Sequence, residues 1–393
     1  MTVIFLSYAA ALPVVKEAWG LSATAAGSIA TAFTAGWAVS LVVGSTLADR
    51  VGARTVFLAS AWLGALSGLA WAFLARSYGS ALVLYCLVGL SQGTYTTAIV
   101  LIAQRYPGRQ RGAAVGWLLA GQSFGYTLSL VLAGLALGDG GYRLAFVVTG
   151  LGPLVGLAVA LVALRTTPNI TPASGVTQRL FDPRDVAQLL RNRQTMRLTI
   201  GYVFHTWELI GMWAWTPAFI AAALVLAGSG DVRAAGGGAY LTAGFHVMGL
   251  VASFTMGTLS DRVGRRPVLV ALAATSAACS LAFGWLLALP FVVVALVGAA
   301  YGFSAVGDSP VLSAAFTESV PPGYLGRALA LRSLLGVGAG AVAPMAVGAV
   351  LDALGASQGP AAWGWAFASL GVAGVIATWC ALGVRDEPAV RRP

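Results

Sequence analysis

The fold is decided by the stretch Leu47-Ala48-Asp49-Arg50-Val51-Gly52-Ala53-Arg54-Thr55-Val56, which recurs 212 residues later as Leu259-Ser260-Asp261-Arg262-Val263-Gly264-Arg265-Arg266-Pro267-Val268. Seven of the ten aligned positions are identical. Each copy stands between two long apolar runs. Repetition at a fixed offset indicates that the chain is a duplicated unit, in which each copy forms a short charged loop between two apolar segments.

The composition excludes a water-soluble fold. Of the 393 residues, 58% are hydrophobic and 9% are charged, and the mean hydropathy is +0.84. A soluble domain has about 45–50% apolar and about 25% charged residues. The three cysteines, Cys86, Cys279 and Cys380, all lie inside apolar runs, where a thiol behaves as a small hydrophobic group. A secreted disulfide scaffold is therefore excluded as well.

Twelve predominantly apolar runs are long enough, with one exception, to cross a bilayer as helices. They predict an all-α polytopic membrane protein with twelve transmembrane helices in two pseudo-symmetric six-helix bundles. The predicted bundles cover residues 1–164 and 198–393, and residues 165–197 form the linker between them. The runs lie near 2–14, 22–47, 55–75, 79–103, 113–136, 144–164, 198–223, 239–259, 267–288, 290–316, 328–351 and 362–384.

The basic residues predict the orientation. Nineteen of the 23 Lys and Arg residues fall on the side of the membrane that holds the 165–197 linker. The other four are Lys16, Arg76, Arg143 and Arg233. Under the positive-inside rule, the linker and both termini are cytoplasmic. The net charge of +10 therefore reflects membrane topology and contact with lipid, and we expect no nucleic-acid partner.

Two segments depart from this regular pattern. Twelve residues precede Pro13, which as a helix span about 18 Å of a hydrocarbon core of about 30 Å. About nineteen apolar-rich residues precede its counterpart Pro217. We therefore expect the first helix to be truncated or to start upstream. In the linker, Asp182 followed by Pro183 is a helix-start signal, and the apolar face that continues to about Arg193 predicts an interfacial helix on the cytoplasmic leaflet.

The repeated Asp-Arg-x-Gly-x-Arg loops resemble the loop motif of the major facilitator superfamily. Length, span count, duplication and the long central connection extend the resemblance over the whole chain. It implies two bundles that rock around a solute site between them, and Gly52 and Gly264 would permit the sharp turns. It also implies that the loop carboxylate caps a neighbouring helix and pairs with arginine to close the cytoplasmic face. The gate residues assigned in this way are Asp49, Arg50, Arg54, Asp261, Arg262 and Arg266.

Two features separate the sequence from drug antiporters of that family. The position three residues before Gln92, often arginine in proton-coupled members, is Gly89. The spacing of Gly121 and Gly125 matches the drug-antiporter element, but the proline of that element is absent. Both departures weaken an assignment as a drug/proton antiporter.

Ionisable residues inside the spans are the candidates for function, because each costs several kcal/mol in the bilayer unless it faces a cavity or a partner. His205 and Glu208 in span 7 share a helical face that Met212 and Trp215 continue. Asp308 lies in a Gly- and Pro-containing part of span 10. A carboxyl group in a medium of low dielectric can exchange protons near neutral pH. We therefore predict that His205, Glu208 and Asp308 couple protons to transport, with His205 tuning Glu208.

The resemblance implies that helices 1, 4, 7 and 10 line the central cavity. The residues predicted to contact solute are Gln92, Tyr95, Gln122, Tyr126, Trp207 and Trp215. His246 is predicted to be a packing residue. Arg332, early in span 11, is open to two interpretations, as a loop-facing anchor or as a residue with a role inside the membrane.

The sequence therefore predicts a secondary active transporter that moves a small organic solute by alternating access and is coupled to protons. A drug or metabolite efflux antiporter, a facilitator and a non-transporting membrane sensor remain alternatives. Carboxylates and tryptophans in the cavity favour a cationic or neutral organic solute. No motif of an enzyme, nucleotide site or metal site is present, and His205-x-x-Glu208 lacks further ligands. We expect a monomer in the bacterial plasma (inner) membrane, with solute, protons and lipid as partners and no cofactor.

Overall fold

The computed structural model describes residues 2–106, 108–171, 191–321, 325–355 and 359–385. Every regular element within these ranges is a helix, as expected where lipid offers no hydrogen bonds to the backbone. Ten helices are individually long and apolar enough to cross a membrane. One of them, Ala120–Ala163, contains two spans because it breaks at Gly141. Together with the short first helix, the described residues form twelve spans, which confirms the predicted fold.

Six spans form the N-terminal half. In chain order they are α1, Ser7–Ala18, after a 3-10 turn at Thr2–Ile4; α2, Ala23–Val51; α3, Ala53–Leu74; α4, Tyr78–Leu90 and Thr94–Arg105 joined by the 3-10 turn Ser91–Gly93; α5, the part of Gly108–Gly150 before Gly141; and α6, the part after Gly141 together with Gly152–Ala163.

Six spans form the C-terminal half. They are α7, Arg193–Leu226; α8, Asp231–Val263; α9, Arg265–Phe283 with the 3-10 extension Gly284–Ala288; α10, Phe291–Ser319; α11, Leu325–Gly340 and Ala343–Ala353; and α12, Pro360–Leu382.

Helix α8 starts eight residues before the predicted position near 239. Its first turns include Gly236-Gly237-Gly238, and these residues are helical. A Cβ atom at Gly236 would lie 3.1 Å from the carbonyl oxygen of Gly134, and one at Gly238 would lie 2.4 Å from that of Pro217. The glycines therefore allow α5 and α7 to approach the backbone of α8, as small residues do between membrane helices.

The predicted end of α1, near residue 14, was also wrong. The helix continues through Pro13 to Ala18, and α7 continues in the same way through Pro217. A proline removes one backbone hydrogen bond, but a membrane helix tolerates it where neighbouring groups re-satisfy the backbone. The predicted interfacial helix that starts at Asp182 lies outside the described residues, except for its last residues, where α7 already begins at Arg193.

The repeated motif forms the same turn in both halves. Gly52 joins α2 to α3 with a φ of +89°, and Gly264 joins α8 to α9 with a φ of +102°. Both values lie in the region that residues with a Cβ atom rarely adopt. The glycine of the motif is thus required by the backbone geometry of the turn.

The two halves touch on one side of the membrane and separate on the other. We call the side of the Gly52 and Gly264 turns the linker side and the opposite side the far side. On the far side, α2 and α11 are so close that a Cβ atom at Gly27 would lie 2.2 Å from the carbonyl oxygen of Pro344. A Cβ atom at Gly348 would lie 2.3 Å from the carbonyl oxygen of Ala23.

Helices α5 and α8 show the same divergence. Gly236, Tyr240, Gly244, Val247 and Val251 form one face of α8 by their spacing. The first two contact Gly134 of α5, whereas a Cβ atom at Gly244 would have no neighbour within 4 Å. Val247 and Val251, nearer the linker side, are 44% and 45% exposed. The interface between the halves therefore opens toward the linker side.

Candidate functional site

Aromatic side chains from both halves meet where the halves come together. Phe5, just before α1, lies 4.5 Å from Tyr126 of α5, 5.4 Å from Trp37 of α2 and 6.0 Å from Trp213 of α7, measured between ring centroids. Trp213 lies 5.5 Å from both Tyr126 and His246 of α8. We call these five residues the central aromatic cluster. Because four helices and the segment before α1 contribute to it from both halves, any rocking of the halves must rearrange it.

The cluster carries polar groups and little free space. Gln122 donates a hydrogen bond of 2.7 Å from Nε2 to the hydroxyl of Tyr126. A cavity of about 30 Å³ lies beside Phe5 and Trp213, and one of about 10 Å³ lies between Trp213 and His246. These volumes hold about one or two water molecules. The centre of the protein is thus nearly closed in this conformation.

A larger opening lies on the far side. It measures about 530 Å³ and separates the end of α1 from the C-terminal half. Lys16 and Glu17 line it from α1, and Asp231 and Trp215 line it from α8 and α7. None of the five residues of the central aromatic cluster lines it.

The predicted solute residues occupy different places. Gln122 and Tyr126 are at the central cluster. Tyr95 of α4 packs against a small cluster formed by Ala38 and Leu41 of α2 and Val337 of α11. Gln92 is buried in the 3-10 turn of α4, where its amide donates to the carbonyl of Val88 at 3.3 Å. The structure thus brings three of these side chains to the interface between the halves.

The two remaining predicted solute residues are tryptophans of α7. Trp207 is partly buried against the main hydrophobic core. Trp215 is buried, donates a hydrogen bond of 2.8 Å from its indole nitrogen to the carbonyl of Pro344, and packs on Trp363 at 6.0 Å. Trp215 therefore links α7 to α11 and α12 within its own half.

Glu208 does not face the interface between the halves, contrary to prediction. Its carboxylate accepts a hydrogen bond of 2.9 Å from Ser276 of α9, and a Cβ atom at Gly374 of α12 would lie 2.7 Å from Oε2. Trp215, two turns further along α7, points to the same side. Trp213 is about 200° away from Trp215 around the helix and faces the N-terminal half. Because α7 carries aromatic residues on both faces, the sequence did not show which face lies toward the N-terminal half.

His205 and Asp308 form a buried pair between α7 and α10. His205 Nδ1 lies 3.0 Å from Asp308 Oδ2, and His205 Nε2 lies 3.0 Å from the hydroxyl of Ser309. The direct partner of His205 is therefore Asp308 rather than Glu208. Asp308 Oδ1 is buried without a hydrogen-bond partner among the described residues. A narrow pocket lined by His205 and Asp308 also includes Arg197, near the linker.

Arg332 is buried inside the membrane region, so it is not a loop-facing anchor. It is 4% exposed. Its guanidinium stacks on the rings of Tyr202 in α7 and Phe316 in α10. His246, predicted to be a packing residue, belongs to the central aromatic cluster.

The loop motifs make their described bonds within their own halves. Asp261 pairs with Arg265 at 2.5 Å, and Arg265 pairs with Glu318, at the end of α10, at 2.8 Å. Arg54 Nε donates to the carbonyl of Leu164 at 3.0 Å. The remaining predicted gate residues are exposed at helix ends: Asp49, Arg50, Arg262 and Arg266.

On the far side, a carboxylate of one half caps a helix of the other. Asp352, at the end of α11, accepts hydrogen bonds of 2.8 Å from the backbone N–H groups of both Ala23 and Thr24. It also accepts one of 2.6 Å from the hydroxyl of Thr24. These residues begin α2, whose N-terminus carries partial positive charge. We call this contact the far-side clamp.

The architecture of two similar halves around a shared centre agrees with a family comparison. The model of the Major Facilitator Superfamily matches residues 1–230 and 232–393. The chain belongs to the Major Facilitator Superfamily. It is thus a multi-pass membrane protein of a transporter family.

Individual members of the superfamily resemble the chain over most of its length. It is 28% identical over 347 residues to the "Probable 4-methylmuconolactone transporter" of Cupriavidus pinatubonensis, covering 83% of this chain and 76% of that protein. It is 25% identical over 373 residues to the "Gallate transporter" of Pseudomonas putida, covering 87% and 80%. The solved D-xylose-proton symporter superimposes with a TM-score of 0.75 at 19% identity, covering 98% and 96%.

In this superfamily member, several polar residues at helix contacts went unnoticed in the sequence. Arg265 and Glu318 carry the linker-side ion pairs, Ser276 holds Glu208, and Asp352 forms the far-side clamp. Only their position at helix ends or opposite a buried acid distinguishes them, and that position requires the tertiary structure. Among the described residues, no group of three or more His, Cys, Asp or Glu side chains is placed to hold a metal ion.

Proposed function

We propose that this protein is a secondary active transporter that moves a small organic solute by alternating access. The central aromatic cluster carries this proposal, because side chains from both halves build it. The halves touch on the far side and diverge on the linker side. A rocking motion that reversed this arrangement would expose the cluster to the opposite side of the membrane.

The proposed organisation is an N-terminal bundle over 1–164, a linker over 165–197 and a C-terminal bundle over 198–393. The excess of Lys and Arg on the linker side supports a bacterial plasma (inner) membrane location with cytoplasmic termini. In that orientation the conformation described above opens toward the cytoplasm. The protein acts as a monomer, since one chain supplies both walls of the site.

Protons drive the transport in this proposal. His205, Asp308 and Glu208 are buried ionisable groups in the half that moves against the N-terminal half. Asp308 is the stronger candidate of the two acids, because it shares a pocket with Arg197 near the linker and has an oxygen free to exchange a proton. Glu208 lies deeper, against α9 and α12, where protonation would alter helix packing.

The solute sites are Tyr95, Gln122 and Tyr126 from the N-terminal half and Trp207 from the C-terminal half. Gln92 and Trp215 contact solute only in a conformation in which their present hydrogen bonds are broken. The solutes named for two relatives, 4-methylmuconolactone and gallate, are small organic molecules. Their size supports a solute that aromatic side chains could enclose.

Transport in proteoliposomes tests the proposal. Vesicles holding the purified protein are loaded with unlabelled gallate, and entry of labelled gallate is followed with and without a pH gradient; benzoate and glucose are tried in parallel. We expect preloading to accelerate entry and an inside-alkaline gradient to drive accumulation that a protonophore abolishes. Binding without exchange of any solute would instead identify a membrane sensor. Exchange that ignores the gradient would identify a facilitator.

A further inference from the structure

Arg332 is a buried cation without a buried anion. It is 4% exposed, and no described carboxylate lies at ion-pair distance from it. One terminal nitrogen donates to the hydroxyl of Ser313 at 3.1 Å. The other lies 3.5 Å from the carbonyl oxygen of Leu312, at the limit of a hydrogen bond. Nε is buried with no partner among the described residues.

This arrangement is costly without a ligand. An uncompensated buried charge destabilises a protein by several kcal/mol. The rings of Tyr202 and Phe316, 4.1 and 4.7 Å from the guanidinium carbon, offset part of this cost and fix the plane of the group. A fixed planar guanidinium with unused N–H donors is suited to bind a carboxylate through two hydrogen bonds.

The guanidinium borders the space between the halves. Tyr95 of the N-terminal half and Trp37 of the central aromatic cluster both pack against Ala38, Leu41 and Val337, and Val337 follows Arg332 by five residues on α11. Tyr95 and Tyr202 are both partly exposed. Arg332 therefore lies on the linker side of the central aromatic cluster, next to the contact of α2 with α11.

We infer that the transported solute is a small organic anion, and that Arg332 binds its carboxylate while the central aromatic cluster packs against its apolar or ring portion. This inference rests on the proposed function and names the solute class of the same site. It corrects the expectation of a cationic or neutral solute, because that expectation counted Glu208 and Asp308 as cavity groups. Asp308 pairs with His205, and Glu208 is bonded to Ser276 away from the interface between the halves, whereas Arg332 has no acidic partner among the described residues.

A charge series on the unaltered protein tests the inference without any mutation. Two matched pairs of probes, benzoate with benzamide and glucuronate with glucose, differ within each pair mainly in the carboxylate. A ligand that binds only the folded state raises the melting temperature. We expect at least one acid to raise the melting temperature and its neutral partner to have no effect at the same concentration. The inference is overturned if neither acid stabilises the protein, or if a neutral partner stabilises it as much as the acid.

Variants then assign the effect to one residue. Arg332→Gln removes the charge and should weaken binding of the stabilising acid about 10-fold or more, as expected for a hydrogen bond to a charged group. Arg332→Lys keeps the charge without the planar guanidinium, so its affinity for the acid should lie between those of Arg332→Gln and the unaltered protein. Arg76→Gln, an exposed far-side arginine whose Nε donates to the carbonyl of Phe73, is the matched control and should bind as the unaltered protein does. Equal acid affinity in Arg332→Gln and the unaltered protein would contradict the assignment.

Counterflow separates this inference from the proposed function. Exchange of glucose but of neither acid, with acid binding absent, keeps the transporter and refutes the anion site. Acid binding that depends on Arg332, with no exchange of any solute, keeps the anion site and refutes the transporter. Should Arg332→Gln fail to fold, the charge series on the unaltered protein still decides the question.

Discussion

The far-side clamp predicts how one carboxylate holds the two halves together. Asp352 accepts three short hydrogen bonds from the first residues of α2, and two of these come from backbone N–H groups that the helix itself leaves unpaired. Asp352→Ala removes all three. Asp352→Asn keeps the shape of the side chain but removes its charge. Both changes should favour the conformation in which the far side is open.

The size of the effect follows from the geometry. Loss of a helix cap costs about 0.5–2 kcal/mol, and a charge at a helix N-terminus contributes about 0.3–1 kcal/mol. Helix α2 retains its own cap, Ser22, which accepts from the N–H of Ala25, and water can reach the released groups. We therefore expect about 2 kcal/mol for Asp352→Ala and about 1 kcal/mol for Asp352→Asn. These values shift the ratio of far-side-open to far-side-closed protein by about 30-fold and about 5-fold.

Spin-label distances measure this ratio. Labels at Arg76→Cys and Ala227→Cys, both exposed on the far side of opposite halves, report its opening in a background without Cys86, Cys279 and Cys380. We expect the long-distance population to grow in the order unaltered protein, Asp352→Asn, Asp352→Ala. The matched control is Asp231→Asn, an acid in the first turn of its own helix. An unchanged distance distribution in Asp352→Ala would refute the clamp.

Three further perturbations test other contacts. Gly348→Leu places a side chain where the α2 backbone now lies and should open the far side in the same label assay; an unchanged distribution would show that the helices separate freely. Arg265→Gln removes the ion pairs with Asp261 and Glu318, whose carboxylates are both exposed, so it should destabilise the protein by about 1 kcal/mol or less in thermal unfolding, and a larger loss would indicate a structural role. Asp308→Asn can still bond to His205 but carries no charge, so proton-driven accumulation should disappear while counterflow persists; accumulation at the unaltered level would exclude Asp308 from coupling.

The fold was readable from the sequence because membrane and repeat impose strong patterns. The apolar runs are long enough to cross a bilayer, and a ten-residue motif occurs twice. These two patterns leave few alternative folds. The errors in the predicted helix boundaries lie at Gly236 to Gly238 and at Pro13. Glycine and proline interrupt helices in water, but these helices continue through them. At the glycines, neighbouring backbones occupy the space that side chains would fill, and at Pro13 the packing compensates for the lost hydrogen bond.

The site was less readable because a helical face does not reveal its neighbour. His205 and Glu208 are three residues apart, yet they bind Asp308 of α10 and Ser276 of α9. Arg332 lies seven positions into α11, close enough to the linker side to pass for an interfacial anchor. Only the packing of α7 and α10 around it shows that its charge is enclosed.

The distribution of buried charge has a consequence for the transport cycle. Among the described residues, every buried Asp, Glu, His and Arg belongs to the C-terminal half: His205, Glu208, His246, Asp308 and Arg332. The N-terminal half meets this surface with the neutral side chains of Phe5, Trp37, Tyr95 and Tyr126. Arg332 is already only 4% exposed, and closing the linker side over an empty site would remove the remaining water near its guanidinium without supplying a counter-ion, a cost that a bound carboxylate removes.

The loaded protein should therefore close and reopen more easily than the empty one. In proteoliposomes, exchange of an acid for the same acid should exceed its net efflux, since net efflux requires the empty protein to return. Arg332→Gln removes the charge that penalises this return, so the ratio of exchange to net efflux should fall toward one, even though affinity for the acid is lower. An unchanged ratio in that variant would mean that the cost of burying Arg332 does not govern the empty step.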